Sequence, residues 1–261
     1  MKRPYDGVDT AAKITAKTAE ILKREGYSFV ARYLVPNSGG TAWKALTAAE
    51  AKDIRNAGLA IMLCWETYAE RIKEGAKAGA EDGRAARKLA AGMDIPAGTV
   101  IYFAADYDVP AAEYDDVEAY LKAAREEIGL YRVGLYGHER VVEAMKHRGY
   151  NDFWQCVAWS NEFSDAAGVI QYEWQGGENA KALTQKIGVA VDLDAAATLD
   201  GMWKSEAKNT EAEDAHKWCV SVGITDDTMR DVSQVELMFW RYYKLTADDD
   251  YKNVSGLLTD N

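Results

Sequence analysis

Carboxylates recur at the ends of short apolar runs in this chain, and that placement is what could do chemistry. Asp9 ends the run 5–9 and Glu66 the run 59–66. Asp106 ends the run 99–106, with Asp108 two residues on, and Asp192 and Asp194 end the run 189–194. Acids gathered in a partly dry bowl repel one another, so some must hold a proton near neutral pH. A protonated acid beside an ionised carboxylate is the pair that glycosidic cleavage uses. Two other uses of the same residues stay open. An acid at a strand end also caps a following helix, and clustered carboxylates also bind magnesium or calcium. No EF-hand or phosphate-binding loop accompanies them. His138, His147 and His216 lie far apart, and Cys64, Cys156 and Cys219 show no Cys-x-x-Cys spacing. The reading is therefore no metal, no cofactor and no disulfide framework. No Ser/His/Asp order or nucleophile elbow is visible.

The elements that must position these acids alternate regularly. Apolar runs at 5–9, 29–35, 59–66, 99–106, 132–136, 153–159, 169–174 and 189–194 are separated by Ala/Lys/Glu-rich stretches of helical character. Thr47 and Glu50 have capping-box spacing, Gly58 ends that helix, and Pro110 stands near the first turn of another. Between the last runs the helices look short or missing. Eight strands with crossover helices predict parallel βαβ units. The first strand is followed by residues 9–12 with no glycine, which disfavours a doubly wound dinucleotide-type sheet. The expected fold is α/β: a small, partly irregular (β/α)8 TIM barrel over residues 1–202. Residues 203–261 are read as a polar linker (204–214) and a short α-helical C-terminal appendage.

In a barrel, alternate residues of each strand face the interior, and the C-terminal ends of the strands carry the chemistry. That alternation sends Ile101, Phe103 and Ala105 to the helices and leaves Tyr102, Asp106 and Asp108 inward. It sends Leu63 and Trp65 outward and leaves Glu66 inward. It sends Val191 and Leu193 outward and leaves Asp192 and Asp194 inward. Arg32, Tyr136, Gln155 and Gln171 are read as inward and polar. The catalytic candidates are thus Asp9, Glu66, Asp106, Asp108 and Asp192. The substrate-binding candidates are Arg32, Tyr102, Tyr136, Gln155, Gln171 and Asp194. For Arg32 a structural ion pair stands equally. His138 opens a helix or lines the site. Cys64 and Cys156 read as small buried hydrophobes. Of 8 Trp and 15 Tyr, most belong to the core and some could stack on sugars; Trp65, Trp159 and Trp174 alternate toward the helix layer or the rim. Glu66 leaves a strongly apolar strand with Asp9 and Asp106 expected nearby, so it is the expected proton donor ahead of Asp108.

Composition narrows the partners. The net charge is −11, from 31 basic and 42 acidic side chains, which excludes a general nucleic-acid binder. No apolar run approaches membrane-spanning length. The chain reaches strand-like sequence at once, so the expectation is synthesis in the cytoplasm without a signal peptide, and a monomer.

The segments 7–9, 29–34, 101–108, 133–137, 153–155 and 191–194, with Ala48, Glu50 and Gly58, together resemble the glycoside hydrolase-like domain long classed as a domain of unknown function. The resemblance covers about residues 4–198. That domain is a TIM barrel related to the family 25 glycoside hydrolases, lysozymes that cut N-acetylmuramyl–N-acetylglucosamine linkages. It implies that Asp9, Asp106 and either Asp192 or Asp194 match three lysozyme aspartates. Asp108 stands where those lysozymes carry the glutamate taken as general acid. It further implies an enzyme of bacterial cell-wall polysaccharide. With no signal peptide, the expected form is a phage or prophage endolysin that acts at the wall after release. Segments 215–218, 223–226 and 235–242 resemble one degenerate S-layer-homology-like unit, a plain helical hairpin being the alternative. The rival readings are a non-catalytic glycan-binding module on the same barrel and a metal-assisted hydrolase.

Overall fold

The structure is a computed structural model and describes residues 2–204. The expected helical appendage lies outside the described residues. Within them the chain forms β1 (Tyr5–Asp9), α1 (Ala16–Arg24), β2 (Phe29–Tyr33), α2 (Ala48–Asn56), β3 (Ala60–Trp65), α3 (Gly75–Gly92) and β4 (Val100–Ala104). It continues through α4 (Tyr114–Glu127), β5 (Arg132–Gly137), α5 (Glu139–His147), β6 (Phe153–Gln155), β7 (Val169–Glu173), α6 (Glu178–Ile187) and β8 (Asp192–Ala196). The strands close into a barrel in chain order. No described helix is long and apolar enough to cross a membrane.

Seven strands run parallel, as the alternating pattern predicts, and β8 does not. It pairs antiparallel with both β7 and β1, with Asp9 opposite Asp192 and Gly7 opposite Asp194. The predicted strand at 189–194 therefore shifts to Asp192–Ala196 and reverses. No helix joins β6 to β7, as expected, but β7 and β8 are joined by the ten-residue α6, closed by Gly188 in the left-handed region (φ 75°). The chain re-enters the barrel at the face it left. Asp192, the first residue of β8, consequently stands at the end where β1–β7 finish.

Helix starts follow local chemistry. Thr15 Oγ1 accepts from Thr18 N (3.2 Å) to cap α1, and Thr47 Oγ1 accepts from Glu50 N (3.2 Å) to cap α2. The capping box predicted for α2 is only half made. The Glu50 carboxylate is used elsewhere, accepting from Arg32 Nε (2.6 Å) and Ile14 N (2.8 Å) while fully buried. Arg32 NH1 also donates to the Thr10 carbonyl (2.7 Å). Arg32 is thus a strand-to-helix strut and not an inward, substrate-facing group. The inner face of β2 belongs to Phe29, Ala31 and Tyr33.

Packing has two shells. Val8, Leu22, Ile61, Leu63, Phe103 and Leu121 fill the space between strands and helices. Phe29, Met62, Val100, Tyr102 and Trp154 fill the barrel. A glycine sits beside two of the large rings inside. A Cβ on Gly7 would lie 2.3 Å from the Phe29 ring, and one on Gly134 2.5 Å from Tyr102, each on the adjacent strand. Trp203 extends the barrel by pairing with Ile61 through two 2.8 Å backbone bonds, and Arg55 covers its ring. It therefore packs with the barrel.

Helices α3 and α4 press together most closely. A Cβ on Gly79 would lie 2.1 Å from the Tyr120 carbonyl oxygen. Backbone cannot yield as a side chain does, so the helices would have to separate. Gly79→Ala is therefore expected to destabilise the fold by about 1–3 kcal/mol despite alanine's better helix propensity. Urea unfolding checks this, and an unchanged midpoint would contradict the packing.

Candidate active site

The bowl forms at the C-terminal ends of β1, β3, β4 and β7 and the N-terminal end of β8. Its centre is an amide. Gln171 Nε2 on β7 donates to Asp9 Oδ2 (2.8 Å) and to Asp192 Oδ2 (3.0 Å). Its Oε1 accepts from the Tyr136 hydroxyl (3.4 Å). Asp192 Oδ1 accepts from the backbone N–H of Gln175, just past β7. One primary amide thus holds two carboxylates together, which two acids alone would resist.

The electrostatics follow from burial and crowding. Asp9 is pushed up to about 7, first by burial and then by the charge of Asp192, with Gln171 opposing. Asp106 is pushed up to about 6 by burial and next by the charge of Glu66, with Lys44 opposing. Burial also raises Asp192. Asp194 lies one inward position deeper and is fully buried. Its Oδ1 accepts from Trp154 Nε1 (2.8 Å), and its carboxyl, carrying the proton, donates to that of Asp9. Burial, and then the charge of Asp9, holds its carboxyl well above the carboxylate range.

Glu66 is inward as predicted, but Lys44 Nζ lies 3.1 Å from its Oε1. Lys44 is itself buried and stands over the Tyr33 ring (4.4 Å). The expectation that Glu66 is the proton donor did not include this cationic partner. Asp106, beside Glu66, is one of the carboxyls raised by their surroundings, as are those of Asp9 and Asp194. Lys44 was not foreseen, because it lies in a loop after β2 and carries no sequence signal. Trp154, which holds Asp194, was also missed.

Other expectations are corrected. Asp108 does not face inward. It is exposed and paired with Arg140 on the first turn of α5, because strand alternation does not extend past the turn at Asp106, whose N–H bonds the Ala69 carbonyl (3.1 Å). Gln155 is fully buried but in phase with Phe153, outside the barrel. Its side chain donates to Glu162 O (2.7 Å) and accepts from Ser164 N (2.8 Å), fastening the β6–β7 loop. Tyr102 is inward, yet it packs edge-on to Trp154 (6.1 Å) within the barrel core, and the charges nearest it are Asp152, Arg132 and Asp200. Asp194 lies beneath the bowl rather than at its rim. Tyr136 and Gln171 do line it. His138 opens α5 as one reading held, but it is buried. Its Nδ1 accepts from Arg140 N (3.1 Å) and its Nε2 meets Val109 N (3.0 Å). Cys64 and Cys156 are buried free thiols. Among the described residues no three His, Cys, Asp or Glu side chains are grouped to hold a metal ion.

An acid whose folded value is raised carries a proton that the unfolded chain has released. Between the ordinary and raised values the folded state binds more protons, so stability falls as pH rises. For Asp9 that window runs from 3.8 to about 7, and for Asp194 it opens upward from 3.8. Asp194→Asn keeps the shape and removes the penalty. Its thermal midpoint is expected to exceed the wild type's at pH 8 and to converge with it toward pH 4. A lower midpoint at pH 8 would contradict the buried protonated acid.

The barrel has counterparts. Bacillus subtilis FadG is 29% identical over 174 residues, which span 64% of this chain and 30% of FadG. The chain therefore covers about a third of that curated relative's length. The Mycobacterium tuberculosis Tat-secreted protein Rv2525c superposes with a TM-score of 0.65 at 23% identity, covering 76% of this chain and 98% of that one. The Clostridium perfringens spore cortex lytic enzyme SleM superposes with a TM-score of 0.52 at 11% identity, covering 78% of this chain and 71% of that one. Rv2525c corrects the expectation of synthesis without a signal peptide and release only afterwards, since this barrel occurs in an exported protein. The model of the Rv2525c-like, glycoside hydrolase-like domain matches residues 20–251. A closed barrel with its carboxylates at one mouth and a family match over most of its length have one meaning: the chain belongs to the Rv2525c-like, glycoside hydrolase-like domain family.

Proposed function

We propose that this barrel is a glycosidase of bacterial cell-wall peptidoglycan, lysozyme-like in substrate. The observation that carries the reading is Asp106, an acid raised to about 6 at the mouth of the barrel beside ion-paired Glu66. Asp106 protonates the leaving glycosidic oxygen as the bond to the anomeric carbon breaks. Glu66, oriented by Lys44, faces the positive charge that develops on the sugar ring. Asp9 and Asp192, fixed by Gln171, orient the sugar and the incoming water. Water supplies the hydroxyl to the anomeric carbon, and its second proton returns to Asp106, so the acid is regenerated. SleM, a spore cortex lytic enzyme on the same barrel, is consistent with a wall glycan as substrate.

A second reading, a non-catalytic wall-glycan binder, is favoured by one observation. The residue standing for the lysozymes' general acid is Asp108, which is turned to solvent and tied to Arg140.

Release of reducing sugar from purified peptidoglycan separates the two. Asp106→Asn is expected to lower the rate roughly 10²–10⁴-fold, while Asp108→Asn stays near wild type. Because the acid must be protonated, the wild-type rate is expected to fall as pH rises through about 6. A dead Asp108→Asn with active Asp106→Asn would move the proton donor to Asp108. A wild type that binds walls and releases nothing would favour the binder.

A further inference from the structure

Large exposed apolar side chains are not scattered evenly over the described surface. Five of the seven, Trp43, Tyr68, Trp159, Phe163 and Trp174, lie in loops that follow β2, β3, β6 and β7, around the mouth of the bowl, while Tyr5 and Leu130 lie at or just before the starts of β1 and β5. Trp174 differs from the rest in being built in. It is 61% exposed, yet its six-membered ring lies against Gly176, where a Cβ would come within 2.0 Å of it. The turn that carries it is closed by Gly177 N donating to the Trp174 carbonyl (2.8 Å). The turn is tied on one side to Asp192 through the Gln175 N–H. On the other side Glu173 accepts from Ala180 N (2.9 Å) and Asn179 Nδ2 (2.9 Å) at the start of α6. An exposed indole carried on a tied turn and resting on a glycine is ordered at less entropic cost on contact than one on a free loop.

The neighbouring loop holds a second indole under strain. Trp159 has φ 57°, a left-handed conformation that a bulky residue rarely adopts. Ser160 holds it there, donating from Oγ to the Cys156 carbonyl (2.7 Å) while accepting from Glu139 N (3.0 Å). Trp159 is 43% exposed. β6 and β7 are paired strands, so the two indoles rise from adjacent loops on one side of the bowl.

We infer that Trp174 is a stacking platform for the apolar face of a pyranose ring, a subsite next to Asp192, with Trp159 as a further contact along the same chain of sugars. The occupant must offer a flat apolar face and hydroxyl or amide groups to acidic acceptors. A neutral or weakly charged glycan does this. A polyanion is disfavoured, because its charge would raise the cost of ionising the crowded carboxyls Asp9, Asp106 and Asp192 further. The inference rests on the glycan reading above and deepens it, because a platform outside the carboxylate cluster requires more than one sugar to be bound at a time.

The test uses the full chain carrying Asp106→Asn, so that ligand is not consumed, and calorimetric titration with a β-1,4-linked N-acetylglucosamine tetramer. Adding Trp174→Ala is expected to weaken binding about tenfold, the order of one aromatic contact, and Trp174→Phe to restore most of it. Gly176→Ala keeps every functional group but displaces the indole, and is expected to weaken binding similarly with an unchanged circular dichroism spectrum. Tetramer binding equal in the Asp106→Asn protein and its Trp174→Ala variant overturns the platform and leaves the glycan reading standing. No binding of the tetramer or of soluble peptidoglycan fragments by the Asp106→Asn protein overturns both.

Discussion

The bowl depends on one amide holding two carboxylates that would otherwise separate. Gln171 reaches Asp9 and Asp192 only because β8 runs against its neighbours. In an all-parallel barrel the first residue of the last strand would lie at the opposite end from the last residue of the first. Reversal brings Asp192 level with Asp9 and places Asp194 one inward position down, under Trp154. The crossover that permits this is α6, whose left-handed Gly188 turns the chain back into the barrel at the face it left.

Crowded acids are expensive to bury, and the surrounding scaffold is arranged so that few of them are charged and unpaired at once. Asp9 and Asp106 are raised to about 7 and about 6, burial lifts Asp194 well above the carboxylate range, and Glu66 has Lys44. The fully buried Arg32–Glu50 pair belongs to a different job. It ties β2 to α2 and to the loop after β1, and so fixes the backbone that carries Asp9. Removing one partner of such a pair would strand the other's charge and is expected to be far more damaging than removing both.

Strand alternation made much of this legible in the sequence, and its failures are instructive. The inward side of β3, β4 and β8 is as the alternation predicts, because apolar residues on one face of each strand were unmistakable. Alternation is blind to strand direction, however. It names Asp192 and Asp194 as inward and cannot say which is at the rim. On β2 both faces are apolar apart from Arg32, and its partner Glu50 is 18 residues away, so a polar side chain was read as inward. Asp108 lies beyond the strand, where a loop bond at Asp106 and the His138 contact to Val109 redirect the backbone. Lys44 illustrates the other limit: a loop residue acquires meaning only from what the fold brings against it.

The account stands on the claim that Asp9 and Asp106 are carboxyls that titrate near neutrality because the fold buries and crowds them. Site-resolved carbon-13 NMR titration of the aspartate carboxyls measures this directly. The expected result is Asp106 titrating at about 6 and Asp9 at about 7, with the Asp106 transition moving when Glu66 is replaced by glutamine. Both carboxyls titrating near 3.8, as unperturbed aspartates do, would contradict the account, since the bowl would then hold no proton to give.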